Sequence, residues 1–188
     1  GRLSESAVND ILAQFNTSTD FDSLSQVDMV IEAVFEEMPI KKQVFQSLDQ
    51  VIKPGGVLAS NTSYLDINEI ATVTSRPSDV IGLHFFSPAN IMRLLEIVVP
   101  SRVSDDVVAT GFSLAKKMRK IPVRAGVCDG FIGNRILSKY LVATYHMVED
   151  GASIFDIDRV IRDFGCAMGP FQVIDLAGGD IGWATRKR

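Results

Sequence analysis

The chain has 188 residues, 46% of them hydrophobic and 22% charged, and a formal net charge of −4. That is the composition of a soluble globular protein, long enough for one full domain or two small ones. Scattered Lys and Arg leave no basic footprint, so nucleic acid and anionic membrane surfaces are not expected partners, and no apolar run approaches the roughly 20 residues of a membrane span. Two cysteines, two histidines and no CxxC pair make neither a zinc site nor a disulfide framework, and no metal is expected. A reduced intracellular setting is the expectation. The N-terminus carries no signal-peptide segments, and because Gly1 stands where Met would, the beginning of the protein is expected to lie upstream.

From Ser4, a capping residue, Val8, Ile11, Leu12 and Phe15 fall at helical spacing, and residues 18–22 suit a short strand. Residues 29–35 form a nearly continuous apolar run, as a buried parallel strand does. Pro39 then suits the first turn of a helix running to about Ile52, where Lys53-Pro54-Gly55-Gly56 stops it. A strand at 57–60 and a helix at 66–73 follow. Strands at 80–86 and 94–99, an amphipathic helix at 105–119 and a strand at 121–124 complete the alternation. After Gly130 only helices are expected, at 131–149, at 153–164 and, shorter, after Pro170.

Such alternation predicts an α/β fold, a truncated Rossmann-like and mostly parallel sheet followed by an all-helical domain. The boundary is placed at residues 125–129, giving a sheet domain at 1–125 and the start of a helical one at 126–188. A dinucleotide site announces itself with GxGxxG in its first strand-to-helix turn. No glycine here has that spacing; Gly126, Gly130 and Gly133 come closest, in the wrong order. Either the chain is no dinucleotide binder or that unit lies upstream of Gly1.

Polar residues stand out at strand ends: Asn61-Thr62-Ser63 after residues 57–60, His84 and Glu96 inside apolar strands, and Asn134 at the start of a long helix. Buried polar groups need partners, and the simplest account of His84 and Glu96 is that they bond one another across neighbouring strands. An imidazole held by a carboxylate has a fixed tautomer and enough basicity to take a hydroxyl proton near neutral pH, as oxidation of a secondary alcohol requires. Ser63 and Asn134 would position the alcohol oxygen. A histidine in a strand is nonetheless more often a satisfied core residue, and Asn-Thr-Ser is ordinary turn chemistry, so the residues alone leave both readings open. Glu32, Glu36, Glu37 and Lys41 likewise read either as charges around a helix start, with Lys41 a solvated surface residue, or as contacts to a cofactor's ribose or nicotinamide. Met118, Met147 and Met168 read as core filler.

Six stretches carry a resemblance: Ile31-Glu32-Ala33-Val34-Phe35-Glu36, Ala59-Ser60-Asn61-Thr62-Ser63, Gly82-Leu83-His84-Phe85-Phe86-Ser87-Pro88, Leu95-Glu96-Ile97-Val98, Gly130-Phe131-Ile132-Gly133-Asn134-Arg135 and Met168-Gly169-Pro170-Phe171. In that order the chain resembles the 3-hydroxyacyl-CoA dehydrogenase family. Ser87, where single-function members usually carry Asn, and the tail from Asp175 to Trp183 look more like the multifunctional proteins of fatty acid β-oxidation. The resemblance implies NAD-dependent oxidation of L-3-hydroxyacyl-CoA to 3-oxoacyl-CoA, with NAD as cofactor and a fatty-acyl-CoA as substrate. It implies His84 as base and Glu96 as its orienting carboxylate, Ser63 and Asn134 as substrate contacts, and Glu36, Lys41 and Asn61 as cofactor contacts in a pocket lined by Ala33 and Val34.

It further implies a fragment, since the family's glycine-rich first unit would precede Gly1 and its helices would continue past Arg188. The helical part would offer apolar faces for a homodimer or for packing on other domains of a larger polypeptide. Bacterial cytoplasm, peroxisome and mitochondrion all remain open as compartments. The competing reading is a catalytically silent structural or binding protein on the same scaffold; a fold needs none of His84, Glu96, Ser63 and Asn134 for packing alone, which counts against it.

Overall fold

The computed structural model describes residues 3–177. The tail from Gly178 through Trp183 lies outside them, as does the rest of the expected helical domain to Arg188. Helix α1 (Glu5–Leu12) opens the chain with Ser4 as its cap, the hydroxyl accepting from Ala7 N at 3.2 Å. Then come β1 (Met29–Glu32), α2 (Met38–Val51), β2 (Val57–Ser60), α3 (Ile67–Ala71), β3 (Val80–Phe85), β4 (Leu94–Val99), α4 (Asp105–Lys117) and β5 (Ile121–Gly126). Helices α5 (Gly133–Glu149), α6 (Ile154–Phe164) and α7 (Pro170–Ala177) follow.

The strands form one sheet in the order β1-β2-β3-β4-β5. The pairs β1/β2, β2/β3 and β4/β5 are parallel, while β3 and β4 run antiparallel. The expected α/β architecture, a mostly parallel sheet followed by helices, is what the chain adopts.

Side chains alternate between the faces of a strand. Ile81, Leu83, Leu95 and Ile97 join Val107, Val108 and Ala115 of α4 in one core layer. Leu58, Val80 and Val98 point the other way, into Phe45, Leu48, Ile67 and Ile70 of α2 and α3. Gly82 lies between Val80 and His84 on that second face, where a Cβ would run into Ile67 and stand 2.7 Å from Val98 Cβ; a side chain there would push α3 off the sheet. By the same parity, His84 and Glu96 belong to the α2/α3 face, just past the part α3 covers.

Four local expectations need correction. Residues 18–22 form no strand: Asp20 and Ser18 spend their side chains on nearby backbone, Asp20 Oδ1 accepting from Asp22 N at 2.9 Å, and Phe21–Leu24 coils into a 3-10 turn. Strand β1 ends at Glu32 and does not reach Phe35, because the Glu32 carboxylate accepts from Val34 N at 2.7 Å and turns the chain out of the ladder. Helix α5 begins at Gly133, two residues later than its hydrophobic pattern suggests, because Gly130 (φ 68°) and Phe131 (φ 45°) are left-handed and cannot continue a right-handed helix. Met147 is 50% exposed and fills no core among the described residues, and Met118 too is exposed.

In the helical part, Asp158 is buried on α6 and its two carboxylate oxygens accept from Phe171 N (2.9 Å) and Gln172 N (3.1 Å). A carboxylate at these orphan donors fixes where α7 starts.

Candidate active site

The parallel strands β1, β2 and β3 end on one side of the sheet, the position where open α/β sheets bind ligands. His84 on β3 and Glu96 on β4 are direct register partners, and His84 Nδ1 lies 2.7 Å from Glu96 Oε2. His84 is 3% exposed, its ring flanked by Phe86 at 4.5 Å and Phe131 at 5.6 Å between centroids. Its other nitrogen, Nε2, bonds no group among the described residues and is not among their sealed, unsatisfied polar atoms. With Nδ1 donating to the carboxylate, Nε2 carries the free lone pair.

The second oxygen of Glu96 is equally occupied: Oε1 accepts from Gly133 N at 2.7 Å and Ile132 N at 3.1 Å, the first donors of α5. Burial pushes the Glu96 carboxyl up, but the bonds from His84, Gly133 and Ile132, with the charge of the imidazole, outweigh burial and hold it below its ordinary value.

A second buried polar cluster links the ends of β1 and β2. Glu32 and Ser60 are register partners, and the Ser60 hydroxyl donates to Glu32 Oε2 at 2.7 Å. Lys41, on the first turns of α2, sends its ammonium to Glu32 Oε1 at 2.7 Å and to Glu36 Oε2 at 3.3 Å. It is 1% exposed, so the reading of Lys41 as a solvated surface residue is wrong: two carboxylates accompany its charge inward. Glu36 reaches across to the loop after β2, its Oε1 accepting from Thr62 Oγ1 (2.6 Å), Ser63 N (2.7 Å) and Tyr64 N (3.2 Å). Asn61 completes the stitching, its N donating to Glu32 O at 2.8 Å and its Oδ1 accepting from Phe85 N at 2.9 Å, next to His84.

All nine residues singled out from the sequence therefore sit on one hydrogen-bonded rim. Ala33, Val34 and Glu36 are on the loop after β1, Asn61 and Ser63 after β2, His84 on β3, Glu96 on β4, Lys41 beneath on α2, and Asn134 directly after Gly133. The Ser63 hydroxyl, the Asn134 side chain and the Asn61 amide nitrogen have no partner among the described residues. The carboxylate of Glu36 and the ammonium of Lys41 are engaged with protein groups. Sequence reasoning gave no role to Ser60 or Thr62, whose hydroxyls hold the two carboxylates, or to the ring of Phe86. The available signal was Ser60 opposite Glu32, a polar pair in adjacent apolar strands like His84 opposite Glu96.

Glu36 gives a pH prediction. Burial raises its carboxyl, yet the Thr62 hydroxyl, the Ser63 amide and the Lys41 charge together lower it below the ordinary 4.5. A carboxyl lowered by folding contributes stability that is complete above its unfolded pKa and is lost as pH falls through the folded value. The melting temperature of the parent should therefore fall more steeply than that of Glu36→Gln between about pH 5 and pH 3, the gap between the two closing as Glu36 protonates. Parallel melting curves across that window would show that Glu36 is not so held.

Residues 1–128 match the family described as 3-hydroxyacyl-CoA dehydrogenase, NAD binding domain, and residues 130–188 match its C-terminal domain. The chain belongs to the 3-hydroxyacyl-CoA dehydrogenase family. It is 51% identical to the peroxisomal bifunctional enzyme of Cavia porcellus over 170 residues, 90% of this chain and 23% of that protein. It thus spans about a quarter of the length of the curated relatives it matches. The crystal structure of M. tuberculosis FadB2 superposes with a TM-score of 0.91 at 36% identity, covering 95% of this chain and 64% of that one. That of 3-hydroxybutyryl-CoA dehydrogenase from Escherichia coli K12 gives 0.91 at 35% identity, over 98% of this chain and 39% of the other. The likeness to multifunctional β-oxidation proteins read from Ser87 agrees with the bifunctional relative.

Proposed function

We propose that this chain carries the alcohol-oxidising centre of an NAD-dependent L-3-hydroxyacyl-CoA dehydrogenase of fatty acid β-oxidation, within a polypeptide of the multifunctional kind. The single observation behind this reading is the His84–Glu96 pair at the sheet's ligand-binding end, with Nδ1 pinned at 2.7 Å and Nε2 unspent. His84 Nε2 accepts the proton of the 3-hydroxyl; Glu96 offsets the positive charge that the imidazole then bears. The Ser63 hydroxyl and the Asn134 amide, both without partners among the described residues, hold the substrate oxygen so that its O–H points at Nε2. Loss of that proton and of the C3 hydrogen leaves the 3-oxo product.

The rim fits the nicotinamide end of NAD. Ala33, Val34 and Phe35 are exposed beyond β1, Phe35 by 77%, and Asn61 has an unspent amide nitrogen, so a flat ring carrying a carboxamide finds both apolar surface and a donor. When bound there, NAD supplies the hydride acceptor. Glu36 and Lys41 shape this pocket from behind by holding the loop after β1 and the loop after β2 at a fixed separation. Residues 1–125 belong on this reading to the cofactor domain and 126–188 to the helical domain that closes over the acyl-CoA. The peroxisomal naming of the relatives favours that compartment among the three open ones.

The test follows NADH absorbance with acetoacetyl-CoA, using the longest polypeptide that the gene encodes. Turnover that needs the CoA ester and ignores free acetoacetate supports the assignment. A folded protein that binds NADH and turns over neither would instead be a silent member of the family.

A further inference from the structure

The turn at residues 130–133 has no assigned part in the chemistry, yet both members of the His84–Glu96 pair rest on it. Its two backbone N–H groups, Ile132 and Gly133, bond the Glu96 oxygen that faces away from His84. Its Phe131 side chain is buried against the imidazole. Phe131 is also one of only two non-glycine residues with positive φ among the described residues, a conformation costing about 1 kcal/mol or more that persists only where the surroundings impose it.

Two glycines make the geometry achievable. A Cβ on Gly130 would stand 2.9 Å from Arg135 N, inside the turn. A Cβ on Gly133 would stand 2.7 Å from Cζ of Phe86, the other ring packed on His84, so any side chain there must displace either that ring or the N–H that Glu96 accepts.

We infer that Gly133 is a positioning residue of the alcohol-oxidising centre: by having no side chain, it lets the start of α5 approach Glu96 closely enough for two amide donors to fix the carboxylate and, through it, the tautomer of His84. This rests on the assignment of His84 as base given above. It also ties the seating of the helical part to the proton-accepting state of the sheet part, because the donors are the cap and the first residue of α5. The groups that set the Glu96 carboxylate are His84 of β3 and the backbone donors of the turn; β5 places Val123 opposite Glu96, and the turn adds the ring of Phe131.

The experiment reads the imidazole directly, so its outcome is separate from whether the enzyme turns over. The chain holds two histidines, His84 and His146, and the second is exposed beside Glu149, so 15N-histidine NMR resolves both with an internal control. In the parent, His84 should show the Nδ1–H tautomer, and the Ile132 and Gly133 amide protons should exchange with solvent far more slowly than exposed amides, as donors to a buried carboxylate do. In Gly133→Ala, with its fold checked by amide dispersion, the His84 tautomers should mix, while the His146 signals stay in place. A folded Gly133→Ala whose His84 signals overlay the parent's would overturn the inference. If Gly133→Ala does not fold, the parent decides alone: amide protons of Ile132 and Gly133 that exchange as fast as exposed ones would overturn it equally.

Discussion

Replacing His84 with alanine is expected to lower kcat for acetoacetyl-CoA reduction by about 10²- to 10⁴-fold, the usual contribution of a positioned general acid or base. Reduction runs the same step backwards, so Nε2 is here the donor to the forming alkoxide. KM should change much less, since on the proposed assignment Ser63 and Asn134, not His84, hold the oxygen in the ground state. The informative companion is His84→Gln. A glutamine amide can still donate toward Glu96 Oε2, which in the parent lies 2.7 Å from Nδ1, and so keeps the buried carboxylate satisfied. If His84 were only a core residue paired with Glu96, glutamine would restore activity; if it moves the proton, glutamine fails as alanine does. A folded His84→Gln with the parent's kcat would sink the assignment.

What could be read in the sequence, and what could not, follows from the range of the interactions involved. The strands at 57–60 and 94–99 were legible to the residue because a nearly continuous apolar run means burial on both faces, a local property. The pairing of His84 with Glu96 was legible for a related reason: a polar residue in each of two successive apolar strands must find a partner, and the neighbouring strand is the nearest place to look. The end of β1 was not, because Glu32 looks like one more strand residue until its carboxylate is seen bonding Val34 N and Lys41. Nor was the start of α5, where the apolar pattern runs on through Phe131 but the backbone is left-handed. Hydrophobic spacing reports which side chains are buried and says nothing of φ. The expected strand at 18–22 failed for the opposite reason, since short Ser and Asp side chains bonded to their own backbone defeat a weak β preference.

Lys41 is where the sequence misleads most, and its replacement is expected to cause the largest loss of stability. Lys41→Met should destabilise the fold by about 3–5 kcal/mol, because it removes the only cation among the described residues that bonds the buried carboxylate of Glu32 and leaves that charge uncompensated. Urea unfolding followed by circular dichroism measures this directly. Two controls separate burial from charge. Lys53→Met removes an ammonium from an exposed pair with Asp28 at 2.6 Å and should cost far less, because water screens that pair. Adding Glu32→Gln to Lys41→Met removes the stranded charge and should recover part of the loss. If Lys41→Met cost no more than Lys53→Met, Lys41 would not be holding the cluster. The effect should also reach the proposed cofactor rim: Glu32 holds Val34 N at 2.7 Å and Lys41 holds Glu36, which in turn fixes Ser63 N. A folded Lys41→Met should therefore bind NADH more weakly and raise KM for the acyl-CoA together, because one buried ammonium sets the distance between the loops that carry the two sites.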